Sequence, residues 1–510
     1  MRFTSLIVEL VRARPRLIFW IAVLAQAALW FIVPTILYGS PPGDTATVLA
    51  FGREYQVGTQ LGPPAAFWLA DIAFRLSGNH IFGVYLLSQV CFIVTFWALF
   101  QLGRAIVGGQ QAVLAVLLTA TIIAFSYPGV EFGPLTLARP LWALVLLHSW
   151  QVIGQSRRNA WFALSIEAGM LLLTTMAAIP LLIMLAIFAL ATKKGRHALA
   201  STDPVFAVMV IMVIVLPYAV WLERGDAVTL PLLPQILDLS DIEARLINWG
   251  QMLAGLAFAL FGVALLLIFN SRRLNGKPQD APVIYRPGVA PSGRLFVYVF
   301  TVAPVLVLSF GAALLGMDQI IGGDGIALLL VGLAVIVTAS DLIYLRRQHV
   351  LRSVWLAIMA APVVVVLAVV FIQPWTSTGE IKTSLPASEI GKFFGENFER
   401  RTGHKLAAVA GDPQLAMLIG FAAPGRPHVL LDATPKQTPW ITFASFNQTG
   451  GVVVWRAADT VGTPPDDLVK RFPGLVPEVP RTFERMVNGR QPQLRIGWAI
   501  VRPQAAPASR

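Results

Sequence analysis

The residues able to do chemistry in this chain are carboxylates and arginines set at the ends of long apolar blocks. Asp44 closes the run Gly39-Ser-Pro-Pro-Gly-Asp44, and Arg53, Glu54 and Tyr55 stand in Phe51-Gly-Arg-Glu-Tyr55, ahead of Gly62-Pro-Pro-Ala-Ala-Phe-Trp68. Further on, Glu131 precedes Phe-Gly-Pro, and Arg139 lies in Ala138-Arg-Pro-Leu-Trp142. A carboxylate held at an interface can take or give a proton, and an arginine can hold an anion such as a phosphate. Each residue also has a structural reading. Pro-Pro-Gly-Asp is a turn composition, and Glu131 can cap a helix beginning near Leu135. Arg53 and Glu54 can pair with lipid headgroups or with each other. Arg139 sits one turn inside an apolar block, where a charge faces protein or a cavity. Glu167 lies deeper, and is either functional or hydrogen-bonded to a neighbouring helix. Asp71 and Arg75 read as a structural i,i+4 pair.

The missing motifs narrow the field. The chain has no GxxxxGK[ST], no GxGxxG after a strand, no HExxH and no CxxC, which disfavours an ATP-driven pump. Its six histidines are scattered without ligand spacing, so no metal site is expected from them. Cys91 is the single cysteine and can form no intrachain disulfide. Asn447-Gln-Thr449 fits a glycosylation sequon, a pattern short enough to arise by chance.

The elements that must position these residues are membrane helices. Of 510 residues, 56% are hydrophobic and only 13% charged, too little polar surface to cover a soluble core. Blocks matching the thickness of a hydrocarbon layer run at 17–38, 81–103, 110–127, 135–153, 160–175, 178–192, 204–222, 247–270, 295–315, 322–345 and 353–373. The fifth and sixth are short and can instead be one broken helix. The expected fold is thus an all-α polytopic membrane domain of about eleven spans over residues 1–373, followed by a small α/β domain over 374–510. The block at 17–38 is too long for a cleaved signal and is expected to be a retained first span. Residues 38–80 form a long first loop, in which Ala65 to Leu76 reads as an amphipathic helix lying along the membrane surface.

Charge supports this map and orients it. The net charge is +12, but the basic residues fall in short loops between apolar blocks, so no nucleic-acid partner is expected. With the N-terminus cytoplasmic, the inner segments before Pro374 hold eighteen basic residues and the outer segments and span ends only five. Acidic residues lean outward, Asp44, Glu54, Glu131 and Asp324 among them. An odd number of spans places the tail outside as well. In that tail, helices are expected at Ser388 to Thr402 and from Pro413 to Ala423, capped by Asp412, with strands at Lys405 to Ala410, His428 to Leu431, Gly451 to Trp455 and Leu494 to Val501. The terminal Pro-Gln-Ala-Ala-Pro-Ala-Ser-Arg is expected to be disordered.

The order and spacing of Asp44, Phe51 to Tyr55 and Gly62 to Ala70, with Glu131-Phe-Gly-Pro and Ala138 to Trp142, resemble the GT-C superfamily of glycosyltransferases. The likeness is strongest to the bacterial relatives of protein O-mannosyltransferases, including the aminoarabinose and galacturonic acid transferases of lipid A and core. Two positions depart from the family pattern. Thr45 and Thr47 stand where many relatives have a second acid, and Leu61 and Gly62 replace a Lys-His before Pro63-Pro64.

The resemblance implies transfer of a hexosyl or pentosyl unit, with inversion, from a polyprenyl-phosphate sugar to a lipid or envelope-glycan acceptor on the periplasmic face of a bacterial inner membrane. It implies Asp44 as general base, Glu131 as a possible second acid, Arg53 and Arg139 as phosphate contacts, and Glu54 and Tyr55 as further substrate contacts. No cofactor is implied beyond the donor lipid, and a role for a divalent metal is left open. Two other classes stay in view: a transporter or flippase of a lipid-linked saccharide, and an inactive scaffold of the same fold. Acids clustered in the outer loops rather than at mid-span favour an interfacial enzyme over a transporter.

Overall fold

The computed structural model describes the chain except residues 1–2, 128, 225–241, 272–282, 286–287, 340, 346, 432–437, 488 and 504–510. Several charges used to orient the chain (Arg2, Asp226, Asp238, Asp241, Arg272, Arg273, Lys277, Asp280, Arg286 and Arg346) therefore lie outside the described residues, as does nearly all of the tail expected to be disordered.

The first twelve helices are α1 (Phe3–Ala13), α2 (Pro15–Leu37), α3 (Thr45–Gly52), α4 (Ala65–Leu76), α5 (Phe82–Val107), α6 (Gly109–Thr119), α7 (Ile123–Ser126), α8 (Pro134–Ile153), α9 (Ala160–Leu172), α10 (Ala178–Ala191), α11 (Lys193–Leu199) and α12 (Asp203–Arg224). Beyond them lie Ile242–Ala259, Phe261–Phe269, Pro291–Leu314, Asp324–Ala327, Val331–Thr338 and Gln348–Phe371. Among the described residues five helices are long and apolar enough to cross a bilayer: α2, α5, α12, Pro291–Leu314 and Gln348–Phe371. Two bent pairs, α10 with α11 and Ile242–Ala259 with Phe261–Phe269, raise that number to seven if each is one span. A helix stands at every expected block, yet α6, α9 and Asp324–Thr338 are shorter than a bilayer is thick. The last block ends early: Thr338 terminates the helix, and β2 (Leu342–Tyr344) pairs antiparallel with β1 (Val283–Tyr285).

Burial sorts the helices by what they face. Within its most apolar window α5 is 61% buried, against 6% for Gln348–Phe371. Because lipid is as apolar as leucine, the second helix can leave its side chains outward while α5 serves as the central post. α8 packs on α5, α9 on α8 and α12 on α9. A hydrogen bond between His148 Nδ1 and Glu167 Oε2, 2.7 Å, ties α8 to α9. Of the two readings of Glu167, the structure shows the interhelical partner.

The C-terminal residues form a five-stranded sheet in the order β4 (His428–Leu430), β3 (Ala408–Gly411), β5 (Gly451–Arg456), β7 (Leu494–Val501), β6 (Glu478–Phe483). β3 runs parallel to β4 and β5, whereas β7 is antiparallel to both β5 and β6. The inner strands are buried on both faces, which is why β5 reads as an unbroken apolar run, Val452-Val-Val-Trp455. Val409, Val452 and Val454 face the helices Ala387–Thr402 and Pro413–Ala422, while Ala410, Val453 and Trp455 face Phe446, Leu468 and Phe472. β6 (EVPRTF) went unread because, as an edge strand with a proline, two charges and little buried surface, it has no apolar alternation to detect.

One apolar cluster joins this sheet to the first loop. It runs from Phe51 of α3 and Phe67 and Phe74 of α4 to Ile419 and Phe421 of Pro413–Ala422. Phe51 meets Trp440 edge-on at 4.9 Å, and Phe74 meets Phe421 at 6.3 Å. α4 is therefore held inside the protein on one face, with Ala65, Ala66, Phe67, Ala70, Asp71 and Phe74 buried. It is not a helix whose apolar face rests on lipid alone.

Candidate active site

Two clusters form around α3, one at each end. At its start Gly43, at φ +58°, turns the chain so that Asp44 occupies the N-cap position. The Asp44 carboxylate makes no capping hydrogen bond and stays exposed. Its backbone N–H donates to Glu131 Oε1 at 3.2 Å, and the Phe132 N–H donates to Thr45 Oγ1 at 3.3 Å. Two links thus clip the 131–133 segment to the first turn of α3. The glycine at 43 leaves room for the Glu131 carboxylate where it stands, since a β-carbon there would overlap it. Glu131 does not cap α8: that helix starts at Pro134 behind Gly133, with no side-chain cap. Its carboxylate is turned instead toward Asp44.

Arg139 lies one turn inside α8, within the electrostatic reach of Glu131. The guanidinium stands 5.8 Å from the ring centre of Phe125 and against the backbone of Gly325. Asp324 and, more weakly, Glu131 are the carboxylates whose charge it feels. Among the described residues Arg139 makes no hydrogen bond and no ion pair. A half-buried guanidinium with open donors beside two acids is a place where an anion and a proton acceptor meet.

At the other end of α3, Arg53, Glu54 and Tyr55 belong to a second cluster. Glu54, nearly buried, is engaged by His428 Nδ1 of β4 at 2.8 Å. Asp71, fully buried, is held at 2.6 Å by Arg75 from its own helix and at 2.6 Å by Arg426. Arg426 also donates to the Leu49 carbonyl at 3.4 Å and lies over the Phe74 ring at 4.8 Å, so one side chain touches both α3 and α4. Tyr55, at φ +48°, places its exposed ring under Arg75 at 5.4 Å. Burial, and then the neighbouring Asp71, pushes its phenol above the ordinary range. Burial pushes the Arg53 guanidinium below its ordinary value, against the pull of Glu54.

Residues 62–221 match the family model described as dolichyl-phosphate-mannose-protein mannosyltransferase. Among solved structures the chain is similar to ArnT from Cupriavidus metallidurans bound to undecaprenyl phosphate, with a TM-score of 0.57 and 14% identity over 94% of this chain and 97% of that one. The apo state of the same protein gives a TM-score of 0.56 and 12% identity over the same shares. No curated protein matches the sequence. The family pattern thus covers under a third of the chain, and the fold, over nearly its whole length, is similar to that of ArnT. At these identities the likeness to ArnT shows the fold, and the site has to be argued from this chain's own residues.

Three of the six site residues named from sequence, Asp44, Glu131 and Arg139, come together. The other three, Arg53, Glu54 and Tyr55, lie across the length of α3, and Glu54 is occupied by His428. Asp71 is more than half of an i,i+4 pair, because Arg426 completes it from 355 residues away in the chain. Sequence reading gave Arg426 no role and placed His428 only as the start of a strand. Both sit in Gly-Arg-Pro-His at the entrance to β4, where nothing local distinguishes them from loop residues.

Proposed function

We propose that this protein moves a glycosyl unit from a polyprenyl-phosphate donor to a hydroxyl of a lipid or envelope-glycan acceptor, at the outer mouth of the helix bundle. The observation that carries the reading is the pairing of two exposed carboxylates, Asp44 and Glu131, the second within the electrostatic reach of Arg139, a guanidinium with no partner among the described residues. In this scheme Asp44 accepts the proton of the acceptor hydroxyl, and the oxygen forms its bond to the anomeric carbon. The bond from that carbon to the phosphate oxygen breaks on the opposite side, inverting the centre. The lipid phosphate leaves as an anion, its charge met by Arg139, while Glu131 orients the Asp44 turn through the backbone N–H.

The fold of ArnT, crystallised with undecaprenyl phosphate, supports a donor of this lipid class. The proposed topology has eleven crossings, with α6, α8, α9 and Asp324–Thr338 completing the seven long or paired ones, a cytoplasmic N-terminus, and the sheet outside a bacterial inner membrane. Its support is the charge bias of the loops and the packing of the sheet on α3 and α4.

The test is a mass-spectrometric comparison of glycolipids from a host lacking the gene, complemented with wild type or with Asp44→Asn. A general base contributes roughly 10²–10⁴ in rate, so the variant should restore under ~1% of the missing glycan. Full restoration by Asp44→Asn would remove Asp44 as base. No glycan difference between the deleted and complemented hosts would overturn the transferase reading.

A further inference from the structure

The cluster at the far end of α3 has more positive charge than it can use. Arg53, Arg75 and Arg426 face only two carboxylates, Asp71 and Glu54, and both are already taken: Asp71 by Arg75 and Arg426, Glu54 by His428. Arg53 is left over. Its Nη1 is buried with no hydrogen-bond partner among the described residues, and so is Nε of Arg426, whose side chain is only 10% exposed. The charges that act on Arg53 are those of Glu54, Arg426, Arg75 and Asp71, so its guanidinium is set within this cluster. Donors buried without acceptors are costly, and one arginine's charge is left uncompensated. An oxyanion set beside Arg53 and Arg426, which are close enough to feel each other's charge, relieves the excess and offers acceptors to their guanidiniums.

That oxyanion is not the donor's phosphate. The phosphate that leaves is bonded to the carbon under attack, so it must lie within a few bonds of the hydroxyl that Asp44 deprotonates. The eight residues of α3 put its far end about 12 Å away at ~1.5 Å per residue. Building on the transfer reading above, we infer that Arg53 and Arg426 form a second anion site, which holds a phosphate monoester of the acceptor glycan while the acceptor hydroxyl reacts beside Asp44. A separation of about 12 Å is the scale of a short saccharide, and the site is completed by the C-terminal sheet through Arg426, which makes that sheet part of acceptor recognition.

The test uses full-length protein in detergent, with inorganic phosphate, glucose 1-phosphate and undecaprenyl phosphate as probes. Glucose 1-phosphate should bind wild type at least as tightly as inorganic phosphate. Arg53→Gln should weaken both about tenfold or more and leave undecaprenyl phosphate within about twofold. Arg139→Gln should do the reverse, and Arg53→Lys should recover part of the loss with an unchanged ligand-free melting temperature. Absence of phosphate binding to wild type, or binding unaffected by Arg53→Gln, overturns the site. Binding of inorganic phosphate without the sugar phosphate makes it a free-anion site and overturns the acceptor role. Loss of undecaprenyl phosphate binding in Arg53→Gln makes the cluster the donor site. If only Arg139→Gln fails to affect the donor lipid, the donor assignment falls and the second anion site stands.

Discussion

Gly43 shows how narrow the tolerance of the reacting centre is at the scale of one residue. Its φ of +58° is a left-handed conformation that an alanine adopts only at a cost of about 1–2 kcal/mol. The atoms that a β-carbon would strike are the end of the Glu131 side chain, which can swing away. Gly43→Ala should therefore fold, with a melting temperature lowered by a few degrees, but with Glu131 displaced from the Asp44 N–H. Transfer should fall at least ~10-fold in a glycolipid assay, matching Glu131→Ala, which also removes the acceptor of the Asp44 N–H. Wild-type turnover by Gly43→Ala would show that the placement of Glu131 is immaterial. The resemblance singled out Asp44 and Glu131 as two candidate acids, but not their contact with each other. The glycine's role was not legible, because a turn composition says nothing about what lies opposite it.

At the scale of elements, α3 and α4 are a short two-helix layer clamped between the helix bundle and the sheet, and Asp71 is the charge at its centre. Removing a buried carboxylate that holds a buried arginine leaves an uncompensated charge, a loss of about 3–5 kcal/mol. Its second partner, Arg75, is half exposed, and a surface pair of that kind contributes about 0–1 kcal/mol. Asp71→Asn should therefore lower the melting temperature far more than Arg75→Ala. Pairing it with Arg426→Met should recover much of the loss, because the stranded cation is then gone. Equal effects of Asp71→Asn and Arg75→Ala would mean that Arg426 is not what the carboxylate serves. The helix α4 and its i,i+4 pair could be read from Ala65 to Leu76 alone. The sheet's hold on the layer could not, since Arg426 reaches Leu49 across 377 residues and His428 reaches Glu54 across 374. No local periodicity encodes contacts of that range.

For the whole molecule, sequence showed the bundle well because lipid imposes one length and one polarity on every span. It overstated the regularity of that bundle. α6 and α9 are short, α10 bends by 106° into the basic α11, and α5 is too buried to face lipid over most of its length. Helices packed mainly against other helices escape the length rule that lipid enforces. The orientation of the bundle is what the transfer reading most depends on, since the sheet and both arginine sites must share one side. Cys91, the only cysteine, is buried, so the native chain is already a blank background for thiol labelling. Val461→Cys, at a position 75% exposed beyond β5, should react with a membrane-impermeant maleimide once the outer envelope is opened and the inner membrane is intact. Gln155→Cys, exposed in the loop between α8 and α9, should react only after the inner membrane is permeabilised. The opposite pattern would put the sheet in the cytoplasm, reverse the charge argument, and leave Asp44 and Arg53 facing a compartment in which the proposed acceptor is not exposed.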